Sequence, residues 1–190
     1  MRKRLILTTC ATTLSAIACT SSIKNDSERQ AADTSKIERL RAPDRVINYP
    51  QLEVPFENGS AQRCVFTMNE IDAYAMLSTR KDTVISMDGE GLTPVTVWYD
   101  KTSTPIKIAY ALKGESNQIS GVFSFYFING KLWLADWLYA KYVFNEDEEL
   151  VYWLGETWAI SETRDSANFD DRQQHVREHL TLILKKLALE

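Results

Sequence analysis

The residues best suited by type and spacing to do chemistry are His175-Val176-Arg177-Glu178-His179, close to the C-terminus. Histidines four apart fall on one side of an α-helix, where both imidazoles can reach one Zn²⁺ while the neighbouring glutamate deprotonates bound water. A catalytic zinc needs a third protein ligand. Only eleven residues follow His179, their sole carboxylate side chain is Glu190, and the chain holds no third histidine. Both histidines also flank an apolar stripe, so the motif reads as the edge of a structural helix. No metal and no other cofactor is assigned, and a zinc metallohydrolase at His175, Glu178 and His179 ranks last among the functions considered. The sequence has no Gly-x-Ser-x-Gly elbow, phosphate-cradling glycine loop or Cys-x-x-Cys, which removes the common serine-hydrolase, nucleotide and redox signals. Asp88, Glu90 and Asp100 could form an acid–base pair, but nothing in their spacing singles them out. The acidic run Glu146-Asp147-Glu148-Glu149 lacks calcium-loop spacing and reads as a solvated hairpin tip.

A second candidate site comes from strand register. Asn129-Gly130 lies between two long apolar runs, and both residues accept the positive φ of a type I′ turn. A two-residue loop pairs Ile128 with Lys131 and, with unbroken alternation, Phe127 with Leu132, Phe125 with Leu134 and Gly121 with Leu138. Phe123, Phe125, Phe127, Leu132, Leu134 and Leu138 then share a core face, which Tyr142, Tyr152 and Leu154 join from the next hairpin. The opposite face receives Tyr126, Trp133, Trp137, Tyr139 and Trp153. Separated by Ser and Ala, these aromatics leave shallow slots for a sugar ring, a peptide or another flat apolar group, and they are the candidate ligand-binding residues. The competing reading buries this face beneath the preceding helix or within a sheet that curls on itself. Asp136 alone breaks the core pattern, and a local bulge would release it.

At the other end of the chain, Arg2, Lys3 and Arg4 precede an uncharged, largely apolar stretch from Leu5 to Ala18, the layout of an export signal. That stretch is shorter than the roughly 20 residues needed to span a bilayer, which favours removal. Ala16-Ile17-Ala18-Cys19 resembles the lipobox of bacterial lipoproteins, a likeness confined to residues 1–20. The resemblance implies that Cys19 carries a diacylglycerol and becomes the first mature residue, and that the protein is held to the membrane by acyl groups, palmitate among them. Thr20 after the Cys implies the outer membrane. Ala-x-Ala also suits ordinary signal peptidase, which would release a soluble protein with the same first residue. Removing residues 1–18 takes away three basic and no acidic side chains, leaving 172 residues with 19 basic against 26 acidic, a net charge of −7. Of three cysteines, Cys10 leaves with the signal and Cys19 is acylated, so Cys64 remains alone as a small buried side chain; without acylation a Cys19–Cys64 disulfide becomes possible.

The elements that position these residues follow from patterning. Residues 19–44 comprise the lipidated Cys and a polar segment without aromatics that reads as a flexible tether, reaching some 25–30 Å as a random coil. Residues 45–63 read as extended and irregular, and a single α+β domain occupies 64–190. Thr67-Met68-Asn69-Glu70 matches a capping box and predicts a short helix from Met68 to Thr79. Strands are predicted at Thr83–Met87, Val95–Asp100, Ile106–Leu112, Ile119–Ile128, Lys131–Phe144 and Leu150–Trp158. Ser166 or Asn168 caps a final helix whose stripe is Val176, Leu180, Ile183, Leu184 and Leu187, the natural cover for the aliphatic sheet face.

Composition bounds the function. The whole chain carries 22 basic and 26 acidic residues, and an acidic balance of this kind does not displace counterions from nucleic-acid phosphates. The expected architecture is α+β, a curved antiparallel meander of five or six strands backed by the C-terminal helix. The expected function is non-enzymatic, a lipid-anchored envelope protein whose sheet domain binds a partner protein or an envelope molecule such as a glycan. An enzyme acting on envelope polymers through an unlocated carboxylate site is the alternative.

Overall fold

The computed structural model describes residues 46–87, 91–113, 119–137 and 139–189. The export signal at 1–18, Cys19, the tether at 19–44, Asp88, Glu90 and Leu138 lie outside the described residues. The architecture is α+β. Helix α1 (Asn58–Met76) precedes eight strands, β1 (Thr79–Met87), β2 (Gly91–Tyr99), β3 (Pro105–Lys113), β4 (Ile119–Ile128), β5 (Lys131–Trp137), β6 (Ala140–Phe144), β7 (Leu150–Gly155) and β8 (Ile160–Glu162), and α2 (Ala167–Leu187) closes the chain. All eight strands form one antiparallel sheet in sequence order, with β1 and β8 at its edges.

The strand count exceeds the expected five or six for two reasons. The apolar run from Lys131 to Phe144 is a hairpin, because Trp137 pairs with Ala140 and the chain reverses between them without the Gly or Asn that usually marks a tight turn. The chain also turns after Gly155, where Trp158 takes a left-handed φ of 66°, and returns as β8.

Helix α1 likewise begins at Asn58, ten residues before the expected Met68. No side chain caps its start, so the usual sequence signal is missing there. Tertiary contacts hold the first turns instead: the Glu53 amide donates to Ser60 Oγ at 2.8 Å, and Arg63 pairs with Glu53 at 2.9 Å. Thr67, expected as the cap, is buried in the middle of the helix.

The C-terminal helix matches its prediction closely. Ser166 caps it by accepting from the Asn168 amide, Asp170 sits in the first turn, and Lys185 and Lys186 complement the negative end of its dipole. Val176, Leu180 and Ile183 are buried against Val97, Ile108, Phe123, Phe125 and Phe144. Twenty-one residues at about 1.5 Å each give about 31 Å, close to the roughly 29 Å across six strand spacings. In keeping with that length α2 touches both β7 and β1.

The other sheet face is covered by α1 together with the extended segment before it. Cys64 and Ile71 of α1 pack with Tyr126, Ile128, Trp133, Leu134, Val143 and Leu154, and Ile47, Tyr49, Leu52 and Phe56 extend that cluster. Residues 46–57 are thus an ordered layer on the sheet.

Two β-bulges decide which residues face which helix. The Asn129-Gly130 turn pairs Ile128 with Lys131 and Phe127 with Leu132 as expected, but the next pair is Tyr126 with Leu134, so Trp133 is an extra residue in β5. From there the register moves by one: Phe125 faces Ala135 and Ser124 faces Asp136. Between β6 and β7, Phe144 faces Leu150 while Val143 faces Tyr152, which leaves Val151 as the extra residue. A one-residue shift in a period-two strand exchanges the faces of everything beyond it. Leu134, Tyr152 and Leu154 therefore join the α1 layer, whereas Tyr142 stays under α2. Asp136 needs no bulge of its own.

Candidate functional site

The same shifts divide the five candidate aromatics. Tyr126 and Trp133 are buried in the α1 layer at 4% and 0% exposure. Trp137 and Trp153 belong to the α2 layer, and Tyr139 projects into solvent at 76% exposure. They do not form one shared face.

Trp137 and Trp153 serve as seats for α2. The His175 ring stacks on Trp137 at 5.2 Å between centroids, His179 packs against Trp137, Phe123 and Tyr110, and the Arg172 guanidinium lies 5.0 Å above Trp153. The Tyr110 hydroxyl hydrogen-bonds His179 Nε2. Burial, and then the neighbouring His175, lower the His179 pKa to about 4, so its ring is neutral at pH 7 and accepts from the tyrosine. Among the described residues no three His, Cys, Asp or Glu side chains are grouped to hold a metal. The H-x-x-E-H spacing works here as helix packing.

Two carboxylates, Asp72 on α1 and Asp136 on β5, are each paired with an ammonium. Asp72 meets Lys107 at 2.5 Å, and Asp136 meets Lys141 at 3.3 Å. Lys107 also lies over the rings of Tyr126 and Trp98, and Lys141 over Trp158. The Tyr126 hydroxyl reaches Asp72 at 3.5 Å, and burial, with Asp72 and Asp136 nearby, raises its pKa, keeping it a donor. These contacts tie α1 and the β5–β6 hairpin to the sheet. Among the described residues Cys64 has no disulfide partner; it is fully buried, and burial pushes its thiol up to about 12, which leaves it inert toward electrophiles.

What the bulges build is a pocket. Tyr49, Pro50 and Leu52 of the N-terminal layer face Trp133, Val151 and Tyr152 across a space of about 260 Å³, closed at one side by the β6–β7 turn at Asn145 and Glu146. Both extra residues, Trp133 and Val151, stand in its wall. Re-aiming a side chain into a site is a common use of bulges. The lining is apolar apart from a few groups, and most of those are committed. Asn145 Oδ1 accepts from the Asp147 and Glu149 amides, and the Tyr152 hydroxyl donates to the Glu53 carbonyl at 3.0 Å. Glu148, just beyond the rim, accepts from the Leu132 amide. The Tyr49 hydroxyl is different: its oxygen is buried, and no described residue bonds to it. Burial, then Glu148 and Glu146, push its pKa up to about 12, so the hydroxyl keeps its proton at pH 7. A buried donor without a partner is costly and demands a reason.

Of the five candidate ligand-binding aromatics, this pocket uses only Trp133; Glu146 of the acidic run and Tyr152, expected on the core face, also line it. Tyr49, Leu52 and Val151 were missed, the first two because they lie in a segment with no periodic pattern. No family model matches the chain, and no curated protein and no solved structure matches it. Function therefore rests on the geometry.

Proposed function

We propose that the protein is a lipid-anchored component of the bacterial cell envelope, a binding protein rather than an enzyme, whose ligand seats in the pocket between Tyr49 and Trp133. The observation that carries the binding reading is the mostly apolar space of about 260 Å³ enclosed by Tyr49, Leu52, Trp133, Val151 and Tyr152. Apolar pockets with one or two placed polar groups are the usual form of a small-molecule site. The anchor is supported by Arg2-Lys3-Arg4, the uncharged stretch after it, and Ala16-Ile17-Ala18-Cys19. No described helix is long and apolar enough to cross a membrane. A mature chain at −7 is repelled by anionic head groups, so acyl chains on Cys19 supply the attachment, with the outer membrane as destination.

Intact-mass measurement of protein extracted from bacterial membranes tests the anchor. The expected species begins at Cys19 and carries diacylglycerol, and Cys19→Ala moves the protein out of the membrane fraction. A membrane-extracted species without added lipid mass overturns the anchor.

A further inference from the structure

We infer that residues 46–53 are a strap that closes the Tyr49 pocket and peels from the sheet to let the occupant in and out. The inference rests on the pocket being the binding site and adds how that site opens.

The strap supplies one wall of the pocket, since Tyr49, Pro50 and Leu52 face Trp133, Val151 and Tyr152 across the space. Its own hold on the molecule is slight. No residue from 46 to 57 is fully buried, and residues 46–52 make no hydrogen bond to any other described residue. Polar attachment begins at Glu53, whose amide donates to Ser60 Oγ at 2.8 Å, whose carbonyl accepts from the Tyr152 hydroxyl at 3.0 Å, and whose carboxylate pairs with Arg63 at 2.9 Å. Upstream of that pin, the strap is kept down by the packing of Ile47, Tyr49 and Leu52 on the α1 layer. A segment with few buried side chains and no backbone hydrogen bonds lies at the low end of local stability, from which the gates of binding sites are drawn.

A second observation, independent of the first, brings the closed position nearer to balance. The Tyr49 hydroxyl oxygen is buried there without a described partner, a loss that peeling the strap away would undo by returning the group to water. The pin at Glu53 and the apolar contacts favour closure; the orphaned hydroxyl opposes it. The side chain that helps to wall the pocket therefore also limits how firmly the pocket stays shut.

Native-state proteolysis of the purified protein reads the strap directly, because thermolysin cuts before Leu52 only when this stretch leaves the sheet. Each rate at Gln51–Leu52 is scaled to that of a free peptide spanning 46–57 with the same residue 49. Tyr49→Phe keeps the ring and removes the orphaned hydroxyl, so cleavage should slow about fivefold. Tyr152→Phe keeps the ring contact with Phe56 and removes one bond of the pin, so cleavage should quicken about fivefold. Acetophenone at ten times its Kd, taken from titration of the Trp133 indole signal, should slow cleavage about tenfold by holding the strap shut. Unchanged cleavage in both variants, faster cleavage in Tyr49→Phe, or a rise in Tyr152→Phe that is matched at bonds within α2 overturns the strap and leaves the pocket standing. Acetophenone that moves the Trp133 signal without slowing cleavage overturns the strap as the closure of the pocket, whereas acetophenone that leaves Trp133 unmoved overturns the binding reading itself.

Discussion

His179 shows how a residue chosen for its chemistry can serve packing. Its imidazole is enclosed by Trp137, Phe123 and Tyr110 and titrates near 4 in the folded protein, against an ordinary value near 6.5. Between those values the unfolded chain binds more protons than the folded one, so stability rises with pH across this window. On acidification from pH 6.5 to 4 the His179 contribution is lost progressively, and below pH 4 it changes no further. Allowing for solvent screening at a half-buried ring, the loss is on the order of 2 kcal/mol. Urea unfolding at several pH values should show this slope, and His179→Gln, which keeps an acceptor for Tyr110 but does not titrate, should flatten it. An unchanged slope in the variant would assign the effect to other groups. The histidine spacing was legible in the sequence; its partners, on three different strands, were not.

At the level of elements, legibility followed the presence of special residues. The β4–β5 turn announced itself through Asn129 and Gly130, which take φ of 53° and 77°. Gly130→Ala tests that reading. An alanine must adopt the same left-handed φ, and its Cβ would approach Thr104 Cγ2 at 3.1 Å, so the expected cost is about 1 kcal/mol or more, seen as a lower midpoint in thermal unfolding. The bulges carried no such mark. Trp133 and Val151 are apolar residues among apolar neighbours, so strict alternation passed through both positions and exchanged the faces of the strands beyond them. Helix α1 was foreshortened in the same way, since the contacts of Glu53 with Ser60 and Arg63 that hold its first turns are tertiary.

For the molecule as a whole, the division into two layers sets what each tryptophan does. Trp137 and Trp153 support α2, while Trp133 stands in the α1 layer beside the Tyr49 pocket. Sequence alternation had grouped all three on one binding face. The α+β class, the antiparallel meander and the closing helix were legible because hydrophobic periodicity reports them directly; the pocket was not, because it depends on two register shifts and on a non-periodic segment folding back over the sheet. The central claim is that a ligand seats in the apolar space between Tyr49 and Trp133, and indole N–H resonances in a ¹H–¹⁵N NMR titration with acetophenone, a small apolar probe, test it most directly. The five tryptophans provide five reporters. The Trp133 signal should shift with ligand, while those of Trp137 and Trp153 stay in place. Shifts at Trp137 and Trp153 with Trp133 unmoved would contradict the account and put the ligand on the α2 side of the sheet.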